Sequence, residues 1–442
     1  MKHHQAVERV VDQLDPNKNL LYNMTTAQAR ALLAEGGADA IRRLDGQFAL
    51  VATRGQSVLL ARSIGRPLRY FIAKRAAGPC LVAADRIDVI HHYLQGEGLA
   101  DQFHPSYTRM APAHYVTEVA LLGCPDPNPT YRRFFTPPRG TLRPNPRAIG
   151  TAYIQVLHDE ISKWLRQRAT DGPIGVCFSG GIDSGSVLVL TYHAMIRLGM
   201  SPARLKAFTL SVDDGGEDLA QARRFLEAVG LALLLEPIEI TSADIDWREA
   251  IRTTEDYKPL DIQSASMAVA LCRGIRARYP EWRWLIDGDG GDENLKDYPI
   301  EENPELTIRS VLNNPMLYQE GWGVDSIKHS LTYSGGLSRG YTRTYAPAAR
   351  FGFDGFSPYT LPNVIAVAES IPFIPLTDWR HDRLYDLKGS IVADGVEAVT
   401  GYKMPIFPKR RFQHGAAARP AFERLFPARE SEYRRAFHAL YE

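Results

Sequence analysis

The feature that most narrows the folds open to this 442-residue chain is the hexapeptide Ser179-Gly180-Gly181-Ile182-Asp183-Ser184 and what flanks it. Ile174 to Phe178 is a short apolar run of strand type, and Ser184 to Leu198 carries apolar residues at helical spacing. A tight Gly-rich turn from strand straight into helix is the building step of an open, doubly wound parallel α/β sheet, whose ligands bind at the carboxyl ends of the strands. The alternation continues with a strand pattern at Leu205 to Val212, a helix at Glu217 to Val229, a strand at Leu231 to Ile240, a helix at Gln263 to Tyr279 and a strand at Arg283 to Ile286. Ahead of it, Ile154, Leu157, Ile161, Trp164 and Leu165 predict an amphipathic helix over 151–168. Beyond about residue 300 the alternation fades, and a mostly helical remainder packed on the sheet is expected.

The first third of the chain reads differently. Phe48 to Ala52 and Val58 to Ala61, separated by Arg54-Gly55-Gln56, have the pattern of a β-hairpin, and strand-like pieces follow at Arg69 to Ile72 and Cys80 to Ala84. From Phe135 the chain is Pro-rich, through Pro137, Pro138, Pro144 and Pro146, which places a domain boundary near residue 148. Two domains, 1–148 and 149–442, suit the length. The 52 Lys plus Arg nearly cancel the 51 Asp plus Glu, so no global field points to nucleic acid or a membrane, and a small molecule or peptide is the expected partner. Cys80, Cys124, Cys177 and Cys272 form no C-x-x-C pair and read as free thiols in a reducing compartment. Met1 to Leu14 is polar, and no uncharged apolar run approaches membrane-spanning length, so a cytoplasmic location is expected. The oligomeric state is left open.

The hexapeptide is suited to phosphate. Gly180 and Gly181 permit close backbone approach, Ser179 and Ser184 add hydroxyl donors, and the helix that follows turns free N–H groups toward an anion. No Lys follows the glycines to reach a γ-phosphate, so this is not a G-x-x-x-x-G-K-[ST] loop. It resembles the S-G-G-x-D-S loop of PP-loop pyrophosphatases, which cleave ATP between the α- and β-phosphates. That resemblance implies that Ser179, Gly180, Gly181, Asp183 and Ser184 grip the phosphates and that Asp183 ligates Mg²⁺. Enzymes making lysidine on transfer RNA, GMP, NAD or argininosuccinate share variants of the loop, so it does not choose among them.

A second motif narrows the choice. Asp287-Gly288-Asp289-Gly290-Gly291-Asp292-Glu293 gathers four carboxylates at another strand end, where a cation is needed to compensate their repulsion. It resembles the S-G-E-G-A-D-E stretch of asparagine synthetases, which implies Asp292 as a second Mg²⁺ ligand and Gly288 against the nucleotide. Adenine is then expected near the backbone of Leu210 to Val212. Upstream, Leu44-Asp45-Gly46-Gln47-Phe48-Ala49, Leu59-Leu60-Ala61-Arg62 and Gly65-Arg66-Pro67-Leu68-Arg69-Tyr70 resemble the rear half of that family's glutaminase domain. The family's nucleophile is an N-terminal Cys, whereas here Met1 precedes Lys2 and the first cysteine is Cys80. An inactive class II amidotransferase-like sandwich is therefore expected in front of a PP-loop synthetase domain.

Two more segments carry the resemblance. Gly352-Phe353-Asp354-Gly355-Phe356-Ser357-Pro358-Tyr359 is similar to the family's G-x-E-x-R-x-P-F-L-D, with Asp354 in place of the Glu near the attacking amine, Phe356 for Arg and Leu361 for Asp. Asp354 is a candidate base, and a turn-forming Asp before Gly is the competing reading. Pro408-Lys409-Arg410-Arg411-Phe412 is similar to R-P-K-x-G-F, which makes Lys409, with Lys403 behind it, the candidate cation at the adenylate. The whole implies an ATP- and Mg²⁺-dependent ligase that adenylates a carboxylate. With no terminal Cys to release ammonia, closure onto the substrate's own amine is expected, a small β-lactam ahead of a peptide ring as in lasso-peptide cyclases. Ammonia-dependent asparagine synthesis and a non-catalytic nucleotide sensor are the alternatives.

Overall fold

In the computed structural model the described residues are 9–73, 80–120, 129–297, 307–312, 344–408, 415–417 and 419–442. They divide into two compact units, one holding residues 9–136 with Phe437–Glu442, the other residues 137–312 and 344–436.

In the first unit the strands are Arg9–Asp12 (β1), Leu20–Leu21 (β2), Gly46–Gln47 (β3), Ala49–Arg54 (β4), Ser57–Arg62 (β5), Arg69–Ala73 (β6), Cys80–Ala84 (β7), Arg109–Met110 (β8), Tyr115–Ala120 (β9) and Thr130–Arg133 (β10). They form two four-stranded sheets, ordered β1-β7-β6-β8 and β10-β9-β5-β4, with β2 and β3 paired separately. The expected hairpin is β4 and β5, antiparallel with Val51 opposite Leu60. Successive strand residues point to opposite faces. Val51, Val58 and Leu60 meet Tyr70, Leu81 and Ala83 between the sheets. Leu50 and Leu59 face outward instead, onto Ala29 and Leu33 of Thr26–Ile41 (α1). Phe71 and Val82 likewise face Ile90 and Leu94 of Ile87–Gly96 (α2). Both faces of each sheet are covered, which gives a helix, sheet, sheet, helix layering.

The second unit starts before residue 148. The N–H groups of Gly140 and Leu142 donate to the carbonyls of Glu369 and Ser370. Pro146 then opens the helix Pro146–Gln167 (α3), which Asn145 caps through the Ala148 N–H. A proline in the first helical turn loses no hydrogen bond, so the Pro-rich stretch serves as a helix start. Five strands follow, Ile174–Cys177 (β11), Leu205–Val212 (β12), Leu235–Ile240 (β13), Trp284–Ile286 (β14) and Asp354–Phe356 (β15). All are parallel, in the order β13-β12-β11-β14-β15. Between them run Ile182–Arg197 (α4), Asp218–Ala228 (α5), Trp247–Thr254 (α6) and Pro259–Arg278 (α7). Met267, Leu271 and Ile275 of α7 cover one face of the sheet through Phe208, Ile238 and Leu285. Among the described residues, no helix is long and apolar enough to cross a membrane, and Cys80, Cys177 and Cys272 are free thiols.

Candidate active site

From β11 the chain moves outward to β12 and β13, then returns to the other side of β11 as β14. The loops after β11 and β14 therefore leave neighbouring strand ends in opposite directions, and the crevice between them is where such a sheet holds its ligand. Ser179 to Gly181 follow β11, and Asp287 to Gly290 follow β14.

The first loop closes on itself. The Ser179 N–H donates to Ser184 Oγ at 3.3 Å, the two hydroxyls lie 3.2 Å apart, and Gln221 Nε2 donates to the Ser179 carbonyl. Gly181 stands at the N-terminus of the 16-residue α4 with no side-chain cap, so the N–H groups of the first turn are directed at the crevice. The acidic turn lies directly against this helix start. A Cβ on Gly288 would stand 2.7 Å from the Ser184 nitrogen and 2.8 Å from the Asp183 carbonyl carbon, and one on Gly291 would stand 2.3 Å from Asp183 Oδ1. Glycine at both positions is the condition for this approach.

The four carboxylates of the turn divide their roles. Asp287 is buried and its Oδ1 accepts the Asp289 N–H, shaping the turn. Asp289 Oδ2 accepts from Thr344 Oγ1 at 2.7 Å. Glu293 is buried. Asp292 reaches Asp183, and what joins them is a lysine that the motif reading missed. Lys388 Nζ lies 2.6 Å from Asp183 Oδ2, 2.5 Å from Asp292 Oδ1 and 3.8 Å from Asp297 Oδ2, with its side chain 2% exposed. Burial favours the neutral amine, but the carboxylates of Asp183, Asp292 and Asp297 outweigh it and hold the ammonium well above its ordinary pKa.

Lys388 arrives on the helix Leu384–Thr400, whose buried stripe is Leu384, Lys388, Ile391, Val392 and Val396. Gly395 of that helix meets Gly150 of α3 backbone to backbone, and a Cβ there would stand 2.3 Å from the Gly150 carbonyl oxygen. A buried polar network supports the site from below. Ser186 Oγ donates to the Asp183 carbonyl at 2.8 Å and lies 2.6 Å from the Tyr359 hydroxyl. Asn294 Nδ2 donates to Tyr153 Oη at 3.1 Å and to the Tyr359 carbonyl at 2.9 Å. Burial, reinforced by the charge of Asp183, pushes the Tyr359 hydroxyl pKa up, so it stays protonated.

Other expected site residues lie elsewhere. Asp354 opens β15 opposite Trp284, at the amino-terminal end of the strands, where it is half exposed and paired with Arg283 Nε at 2.7 Å. The structure does not bring it to Asp183, so it is not placed to act as the expected base. Phe356 is a core residue stacked on Trp164 at 4.7 Å, and Leu361 is buried. Leu210 and Val212 belong to the core that α7 covers, and the Val212 N–H donates to the Ala416 carbonyl at 3.0 Å, so it is engaged where an adenine edge was expected. Lys403 is exposed beside Glu397. Lys409 lies outside the described residues. An exposed ion pair such as Arg283 with Asp354 contributes about 0–1 kcal/mol. Asp354→Asn should therefore change turnover by less than about 3-fold and leave thermal unfolding nearly unmoved, as a steady-state assay and a melting curve would show.

The donor set fits magnesium at a phosphate. That ion commonly takes one or two carboxylates together with phosphate oxygens and water. Asp183 and Asp292 already converge on one cationic centre, and among the described residues no three His, Cys, Asp or Glu side chains form a complete metal cage.

The profile of the asparagine synthase family matches residues 158–346, which takes in both loops. The chain is 26% identical over 278 residues to the glutamine-hydrolysing nodule asparagine synthetase of Pisum sativum, covering 60% of this chain and 42% of that protein. It is 27% identical over 163 residues to amidase chry2 of Gibberella zeae, covering 32% of this chain and 23% of that protein. The chain thus spans less than half the length of these curated relatives. A solved NMN synthetase from Francisella tularensis aligns with 55% of this chain and 96% of its own at 16% identity, but with a TM-score of 0.24 that likeness is too slight to bear on the site.

Proposed function

Because the chain belongs to the asparagine synthetase superfamily, we propose that it is an ATP-dependent ligase that forms an amide bond through an acyl-adenylate. The observation that carries this reading is the convergence of Asp183 from the phosphate loop and Asp292 from the acidic turn, 2.6 and 2.5 Å from one ammonium, at the switch point of the sheet. Ser179 to Ser184 and the start of α4 would hold the phosphates, and no lysine follows the glycines of that loop as it does in a G-x-x-x-x-G-K-[ST] loop. A carboxylate oxygen of the substrate attacks the α-phosphorus, the bond to the bridging oxygen of the β-phosphate breaks, and pyrophosphate leaves. An amine then attacks the acyl carbon, the carbon to oxygen bond breaks, AMP leaves and the nitrogen loses one proton. Asp183 and Asp292 would hold magnesium, which supplies charge neutralisation at the phosphates. Lys409 remains the proposed cation at the adenylate.

The amine is proposed to be the substrate's own, so that the product is a lactam, a small ring in preference to a peptide ring. Two features support this. The stretch that carries Arg and Asp in asparagine synthetases offers only the buried Phe356 and Leu361 here, which fits a substrate other than aspartate. Cys80 is a buried residue of β7 whose thiol pKa is raised by burial, unlike a glutaminase nucleophile, and the four-layer unit is proposed to be an inactive relative of that domain. A tethered amine also meets the adenylate at an effective concentration of roughly 10⁵ M or more in well-oriented cases, ahead of hydrolysis. The test supplies ATP and Mg²⁺ with candidate β-amino acids or linear peptides, and separately aspartate with ammonium, and reads products by mass spectrometry. A tethered substrate should yield a product lighter by one water, with AMP. Asparagine from the second mixture, with no lactam from the first, would overturn the lactam assignment.

A further inference from the structure

We propose that Lys388 is the resident cation of the nucleotide-free site, and that a divalent ion reaches Asp183 and Asp292 only by displacing its ammonium. The inference rests on the reading above, in which these two carboxylates hold magnesium. Lys388 Nζ stands at hydrogen-bond distance from both, and the side chain that carries it is 2% exposed. The ammonium occupies Asp183 Oδ2 and Asp292 Oδ1, while Asp183 Oδ1 lies against Gly291. Magnesium needs its oxygens at about 2.1 Å, so an ion that takes those same two oxygens must displace the ammonium.

Charge points the same way. Asp183, Asp292 and Asp297 all converge on the ammonium of Lys388. With the ammonium in place their pull on a second cation is reduced, and with it gone the full repulsion between them returns. Lys388 thus does two things in the empty site. It keeps the phosphate loop and the acidic turn in contact, and it weakens binding of a metal that arrives alone. Lysine suits this use because its charge sits on a flexible four-carbon stem and can turn to a new anion. The phosphates of an incoming nucleotide offer that anion, so metal and nucleotide are taken up together.

The test is direct binding of Mn²⁺ to the full chain without nucleotide, followed by electron paramagnetic resonance at constant ionic strength, for the wild type, Lys388→Met and Lys388→Gln. The wild type should bind weakly and both variants at least about 10-fold more tightly, since removing one close charge is worth more than that factor in a partly buried site. Circular dichroism establishes that each variant is folded. If Lys388→Met is not, Lys388→Gln, which retains two N–H donors for the carboxylates, carries the comparison. Adding Asp292→Asn to Lys388→Gln should abolish the gain. Wild-type binding as tight as that of the variants, or a gain that survives Asp292→Asn, overturns the proposal. Exchange of labelled pyrophosphate into ATP by the wild type, run in parallel with nucleotide and metal present, separates the two levels. Exchange without the binding difference defeats this inference alone, whereas no exchange with any candidate substrate defeats the ligase reading.

Discussion

Asp183→Asn is expected to lower ATP–pyrophosphate exchange by at least about 10²–10³-fold, and Asp292→Asn by as much, because each removes a carboxylate proposed to hold the cation that would neutralise the developing pyrophosphate. The two residues come from turns at adjacent strand ends and share the Lys388 ammonium, so loss of either removes one of the two carboxylates proposed to hold the divalent ion. Neither substitution should unfold the protein. Lys388 keeps the remaining aspartate and Asp297, and amide replaces carboxylate with no change of volume. The check is exchange measured beside circular dichroism and a thermal melt. Near wild-type exchange in either variant would mean that the convergence of the two aspartates has no part in the chemistry.

Gly288→Ala should have an effect of the same order, about 100-fold or more on exchange, through sterics alone. The added methyl would stand 2.7 Å from the Ser184 nitrogen and 2.8 Å from the Asp183 carbonyl carbon. Both are backbone atoms in the first turn of α4, which cannot yield as a flexible side-chain tip does. The acidic turn must back away, and a displacement of about 1 Å at reacting groups is enough for a loss of that size. Overpacking of this kind typically costs about 1–3 kcal/mol in stability as well, so the melting temperature should fall. Gly96→Ala is the control, because an added Cβ there meets nothing within 4 Å. It should leave both exchange and melting temperature in place.

The parts of the site that are legible in the sequence are local ones. A strand, a glycine turn and a helix start within a dozen residues, so Ser179 to Ser184 can be placed from spacing, and the strand Leu205–Val212 has the bounds its apolar run suggests. Asp292 is marked by the density of carboxylates around it. Lys388 carries no such mark, since it stands 205 residues from Asp183 and belongs to no motif. One signal was present. A lysine occupies the apolar stripe of Leu384, Ile391, Val392 and Val396, and a charged residue on a buried helical face calls for a partner. Asp354 shows the opposite error. Its segment, Asp-Gly-Phe, has too few apolar residues to look like a strand, yet the neighbouring strand Trp284–Ile286 draws it into the sheet as an edge. In that register Asp354 falls at the wrong end of the strand, and Phe356 turns to Trp164 in the core. Pairing partners, not local pattern, decided both outcomes.

Phosphorus NMR of a turnover mixture of the full chain, ATP, Mg²⁺ and an accepted substrate shows which bond of ATP breaks at the proposed junction of these two loops. AMP and pyrophosphate are expected in equal amounts from the wild type, and neither from Asp183→Asn. ADP and inorganic phosphate as the products would contradict cleavage between the α- and β-phosphates.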